Sequence, residues 1–219
     1  MREHDRATRL TLRIVPGGKA LRVTTPPHVR DSEIDEFVNR NRNWVATRLA
    51  RLPANVTPAA DSTVSYLGVP HRIELTGKLR GIVETAEKDG TAILRVPGNP
   101  DQTGRKLQAF FRQQARDRLN EAVAGHAAAL GVRPRSIRIT DSRSRWGSCS
   151  TTRTLSFSWR IVLAPPEVLD YLAAHEVAHL REMNHSKAFW DLVRRICPQM
   201  QRHKQWLRQH GASLHALDL

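Results

Sequence analysis

The chain has 219 residues, with 35 Lys and Arg against 21 Asp and Glu, a formal charge of +14 at pH 7. Hydrophobic residues make up 40% and charged residues 26%, which excludes wholesale disorder and predicts a globular protein with a real core. Two cysteines, Cys149 and Cys197, exclude a disulfide-stapled scaffold and a four-cysteine zinc ribbon, and no apolar run approaches the roughly 18–20 residues of a membrane helix.

Residues 9–25 alternate apolar and polar on either side of Pro16-Gly17-Gly18, which predicts a strand, a turn and a strand. Asp31 and Ser32 then open a helical pattern, with Ile34, Phe37, Val38, Trp44, Val45 and Leu49 on one face, that ends near Pro53. Residues 53–62 read as a linker. Strand-like segments follow at 63–76, 80–85 and 91–96, separated by Gly77 and by Asp89-Gly90. The tract PGNPD at 97–101 is the clearest internal boundary. The predicted division is an N-terminal β-rich lobe with one helix over 1–100 and a core over 101–219.

From about Arg105 to Leu130 the pattern is helical, with Leu107, Phe110, Phe111, Ala115, Leu119 and Val123 on one side and Gly131 placed as a C-terminal cap. Strands at 136–140 and 154–163 flank the polar loop DSRSRWGSCSTT, whose Gly147 reads as a turn or as part of a cleft wall. Pro165, Pro166 and Glu167 start a helix, and residues 167–181 are apolar almost all round, so this helix is buried. Ser186 can cap the next helix, which carries Phe189, Trp190, Val193 and Ile196, and a last helix spans about 199–210 and stops at Gly211. The 29 Arg and 6 Lys are scattered from Arg2 to Arg208 with no interleaved aromatics and no recognition-helix pattern. Nucleic-acid binding is left open by the charge but is not predicted.

The buried helix contains His175-Glu176-Val177-Ala178-His179. Histidines four apart lie one above the other on a helix face, so their imidazoles can converge on one ion, while Glu176 is rotated away to face water. With ten His and ten Glu, random order yields this pattern about 0.02 times per chain. His185 follows six residues after His179, and Asn184 before it tolerates the sharp turn that would bring it back. A catalytic zinc site needs three protein ligands and an open fourth position, and His175, His179 and His185 supply that count. His126, His203 and His210 have no metal spacing. Cys149 could add a fourth ligand, although a buried inert thiol is its commoner role.

HEVAHL followed by NHSKAFW, preceded by SRWGSCS and LSFSWRIVLAPPEVLDYLAA, resembles the YgjP-like metallopeptidase domain family, a group of small zincins related in motif to SprT-like proteases. The resemblance is concentrated over about 133–210 and extends upstream through LRVTTPPHVRDSEIDEFVNRNRNWVATRL and YLGVPHRIEL. It implies an α+β, zincin-like metallopeptidase fold, His175, His179 and His185 as ligands of Zn2+, and Glu176 as the catalytic acid/base. Glu182 stands three residues after His179, where metzincins place a glycine, so the chain does not read as a true metzincin.

The expected function is zinc-dependent peptide hydrolysis, in which Glu176 takes the proton of the attacking water and returns it to the leaving amine. Arg143, Arg145 and Tyr171 are the candidates for stabilising the oxyanion. The competing readings are a metal-dependent nucleotide pyrophosphohydrolase, a DNA-associated protease of the SprT type and a non-enzymatic zinc module. The expected partner is a peptide or protein substrate, and the expected setting is a cytoplasmic monomer with no membrane attachment, since no secretory pattern is visible at the N-terminus.

Overall fold

A computed structural model of the chain describes residues 2, 3, 5, 7–15, 20–50 and 57–219. The chain divides into two compact units, Met1–Asn55 and Val56–Leu219.

In the first unit β1 (Arg2–Glu3) pairs in parallel with β3 (Leu21–Thr25), and β2 (Thr11–Ile14) pairs antiparallel with β3, setting Leu12 opposite Val23. The turn expected at Pro16-Gly17-Gly18 lies outside the described residues, as do the helix end expected near Pro53 and the first residues of the 53–62 linker. The single helix expected from Asp31 is two helices, α1 (Asp31–Arg40) and α2 (Arg42–Ala50). They break at Asn41, whose side-chain amide donates to the Phe37 carbonyl at 2.7 Å. That local bond offers the backbone an alternative to continuing the helix.

In the second unit β4 (Thr63–Tyr66), β5 (Val69–Leu75), β6 (Glu84–Lys88) and β7 (Thr91–Val96) form a sheet in the order β4-β5-β7-β6, with β5 and β7 parallel. Leu67 and Gly68 turn β4 into β5 at φ of 52° and 77°. Their amides donate to the carbonyls of Val162 and Leu163, at 2.9 and 3.2 Å. A Cβ on Gly68 would come within 2.8 Å of Pro165, so this tip docks where a later helix begins. Val64, Ile73 and Leu94 from this sheet share one core with Leu107 and Phe111 of α3 (Thr103–Leu130). The compact units divide after residue 55, and the inward side chains of β4, β5 and β7 share their core with α3. Gly131, at φ 61° and ψ 40°, ends α3 as its position predicts.

A second sheet, ordered β8-β10-β9, joins β8 (Ser136–Thr140) in parallel and β9 (Gly147–Cys149) antiparallel to β10 (Thr154–Ser158). The strand expected over 154–163 stops at Ser158 and winds into a 3-10 helix, Trp159–Leu163. Arg160 is the reason. Its side chain is fully buried, and its guanidinium donates to the Asp141 carboxylate and to the Leu217 carbonyl. The Trp159 indole N–H donates to the same carboxylate at 2.8 Å while its ring stacks on Phe111. A guanidinium buried without these acceptors would be costly, so the backbone bends to deliver it.

Three helices close the fold: α4 (Pro166–Ala178), α5 (Lys187–Ile196) and α6 (Met200–His215). Helix α4 is buried almost all round, as its composition predicts, and Ser186 caps α5 by accepting from the Phe189 amide at 3.3 Å. Helix α6 runs through Gly211, where an end was expected. A Cβ there would sit 3.2 Å from the Trp146 indole, so the glycine makes room for a ring and does not terminate the helix. Among the described residues no helix is long and apolar enough to cross a membrane.

Candidate metal centre

Helix α4 ends at Ala178, and His179 caps it with helical angles, φ −63° and ψ −17°. The chain then turns through 180–186 to α5. Arg181 holds that turn by donating to the Leu130 carbonyl at the end of α3, which also satisfies one of that helix's open carbonyls. The turn carries His185 back to α4. His175, His179 and His185 place ligand-capable ring nitrogens within 4.8 Å of one another, the only such group of three among the described residues.

The orientation of each ring has an identifiable cause. The Nδ1 of His179 faces the Glu182 carbonyl at 3.0 Å; donating its proton there leaves Nε2 as a free lone pair. The Nε2 atoms of His175 and His185 face each other at 3.1 Å. That is close to the separation of roughly 3.3 Å that two nitrogens subtend on one tetrahedral zinc. Phe189 is fully buried beneath all three imidazoles, with ring centres 4.9, 4.4 and 4.7 Å from those of His175, His179 and His185. Trp190 stacks on His185 at 5.5 Å.

The electrostatics suit a cation. Burial, then the charges of His179, His185 and Lys204, push His175 down to about 3, and burial lowers His179 as well. Both are therefore neutral at pH 7, the form in which imidazole ligates a metal. Glu176 is 4% exposed, its Oε2 has no hydrogen-bond partner, and burial pushes its carboxyl up to about 8 against the pull of Arg145. Two ring nitrogens facing each other at 3.1 Å, beside a buried carboxyl whose Oε2 has no hydrogen-bond partner, form a group that a cation placed among them would stabilise in its ionised, metal-ligating form. The donor set thus fits a divalent ion.

Glu176 does not rest on the helix alone. It leans against β9, where a Cβ at Gly147 would come within 2.8 Å of its carboxyl carbon. Gly147, read from the sequence as either a turn or part of a cleft wall, is a strand residue paired with Phe157 and not a turn. Trp146, just before it, packs on Gly211 and stacks on His215 at 4.1 Å. Spacing alone held no signal for the Gly147–Glu176 fit; the run SRWGSCS marked the segment without revealing which atom needed the space.

The remaining candidates separate clearly. Arg143 is engaged by Asp218 at 2.9 Å. Tyr171 lies edge-on to His175 at 6.0 Å, and burial, then Cys197 and Glu176, push its phenol up to about 12, so it remains a donor. Arg145 is the cation that pulls on Glu176. Cys149 lies in β9 with its thiol on the Ser150 carbonyl, outside the converging group. His126 pairs with Asp170 at 2.8 Å, His210 packs on Trp206, and His203 lines a separate groove with Glu167 and Asp170.

The model of the YgjP-like metallopeptidase domain matches residues 8–210. Among solved structures the chain is similar to the metallopeptidase zymogen of Pyrococcus abyssi abylysin, with a TM-score of 0.38 and 19% identity over 42% of this chain and 93% of that one. It is also similar to the metallopeptidase zymogen of Methanocaldococcus jannaschii jannalysin, with a TM-score of 0.35 and 23% identity over 41% of this chain and 96% of that one. No curated protein matches the chain.

Proposed function

This chain belongs to the YgjP-like metallopeptidase domain family, and on that premise we propose that it is a zinc peptidase in which His175, His179 and His185 hold the ion and Glu176 is the acid/base. The observation that carries this reading is the convergence of three imidazoles, two from a buried helix and one returned by the turn after it, beside a buried carboxyl whose Oε2 has no hydrogen-bond partner. Three imidazole nitrogens and an open fourth position favour zinc over the oxygen-seeking divalent ions.

When bound, such an ion acidifies water and polarises a carbonyl. The chain's residues do the rest. Glu176 receives the proton of the attacking water and delivers it to the leaving amine. The backbone of Gly147 sets the lateral position of that carboxylate, and Phe189 fills the space beneath the three rings. Tyr171 and Arg145 are the available donors toward a developing oxyanion, since Arg143 is committed to Asp218. Strand β9 ends its sheet, so its outer edge can pair with an extended peptide substrate.

The test is the metal content of the purified chain and of two variants, by elemental analysis. The expected result is about one zinc per chain, lost from His185→Ala and retained by Glu176→Gln, with peptide turnover abolished in Glu176→Gln. Full zinc in His185→Ala places the third ligand elsewhere. Unimpaired turnover in Glu176→Gln removes the acid/base from its role.

A further inference from the structure

One face of α6 carries Gln201, Lys204, Gln205, Arg208 and Gln209, the spacing of a continuous helical stripe, and these residues line a groove of about 530 Å³. A stripe that packs on a core is apolar; this one is made of amides and cations, and α6 contains no acidic residue. The Lys204 ammonium stands 4.0 Å over the Trp190 ring. Trp190 in turn stacks on His185 at 5.5 Å and lies 5.7 Å from His175. The lysine is therefore held one indole away from the histidine cluster.

Its charge is not spoken for. Asp191, next to Trp190 on α5, is engaged by Lys187 and Arg194, each at 2.7 Å. Among the described residues neither Lys204 nor Arg208 has an ion-pair partner. The indole covers one side of the ammonium and restricts its rotamers, and the side chain is otherwise exposed and lines the groove. Arg208 lies one turn further along the same stripe with Gln205 between, so two cations and an amide lie along one exposed face.

We propose that Lys204 and Arg208 form a subsite that binds a carboxylate of the peptide being cut, close to the scissile bond. The proposal rests on the peptidase reading above. Its place favours a short reach: one residue of extended peptide advances about 3.3 Å, so a side chain or a chain terminus one to three residues from the cut spans the indole. The carboxylate has two sources, an Asp or Glu side chain at a fixed position or the free C-terminus of the substrate.

The test digests a peptide library, with free and with amidated C-termini, using the zinc-loaded full chain, and reads the cuts by mass spectrometry. An acidic residue enriched at one fixed position identifies the side-chain source. Cuts at a fixed distance from the terminus, lost on amidation, identify the terminal source. A matched Glu and Gln peptide pair is then expected to differ about fivefold in kcat/KM, the size of a partly exposed ion pair, and Lys204→Glu is expected to turn the preference toward a Lys peptide. A library cut without bias, or a bias unchanged in Lys204→Glu, overturns the subsite and leaves the peptidase reading standing. A library left uncut by the wild type overturns both. A second measurement is independent of turnover: zinc-loaded Glu176→Gln, titrated with the Glu and Gln pair and with a free and an amidated C-terminus pair, binds the carboxylate-bearing member of one pair more tightly, and equal binding within both pairs overturns the subsite.

Discussion

Gly147 and Glu176 occupy one another's space: the carboxyl of Glu176 lies where a side chain at position 147 would begin. A strand edge and a helix are thereby brought close enough for the strand's bare backbone to act as a stop for the carboxylate. Strand β9 and α4 meet through that absence of atoms.

Gly147→Ala tests the fit. The added methyl group forces Glu176 or β9 to move, while the three histidines keep their own supports. The expected outcome is a full complement of metal with turnover reduced about a hundredfold, the cost of misplacing a catalytic group by an ångström. Measuring zinc and kcat on the same preparation decides it, and unchanged kcat refutes the role given to Gly147.

Phe189 is the common floor of the three imidazoles. Phe189→Ala is expected to cost about 3–5 kcal/mol in stability by opening a cavity. Phe189→Leu keeps the fold and loosens the rings, and it is expected to weaken metal affinity by about tenfold to a hundredfold. Competition against a chelator of known affinity reads the second effect apart from the first.

Position 211 answers a different question. Glycine inside a helix is normally a weakness, and replacing it with alanine is normally a gain of roughly 0.5–1 kcal/mol. Here the Trp146 ring lies against the bare backbone, so Gly211→Val is expected to destabilise the chain by about 1–3 kcal/mol through overpacking. Thermal denaturation is the measurement, and a raised Tm contradicts the packing described.

Acid sensitivity has a defined origin. Burial, then the charges of Arg160 and Arg143, hold His215 at about 4, below its ordinary 6.5. Between those values the unfolded chain binds a proton that the folded chain refuses, so stability declines as the pH falls through this range. Asp141 adds to the decline at lower pH. Burial tends to raise its carboxyl, but Arg160, Trp159 and Arg143 hold it below the usual value, and the stability it contributes at neutral pH is lost on protonation. His215→Phe preserves the stack on Trp146 and is expected to lessen, without abolishing, the fall in urea midpoint between pH 7 and pH 5, because His175 and His179 are also lowered by burial. An equally steep change locates the titration elsewhere.

Much of this architecture is legible from local pattern. The apolar stripe of α3 and its Gly131 stop, the pairing of β2 with β3, the buried character of α4 and the convergence of His175, His179 and His185 all follow from spacing within a few residues or one helical turn. What escaped is what depends on distant partners. Trp159 and Arg160 look like strand residues until Asp141 and Phe111 are placed beside them. Gly211 looks like a stop until Trp146 arrives from another loop. Nothing in the pattern of segment 63–96 names the partner of its inner face, which is α3. Asn41 is the local exception: its side chain competes for the Phe37 carbonyl within one turn, a signal that was present but weaker than the surrounding periodicity.

Helix α6 touches both flanks of the centre, through Lys204 under Trp190 on one side and through Gly211 and His215 under Trp146 on the other. From Lys204 to Gly211 is seven residues, about 10 Å of helix rise. A helix does not stretch, so α6 works as a caliper: the spacing between these two attachments persists through any motion that leaves its backbone bonds intact.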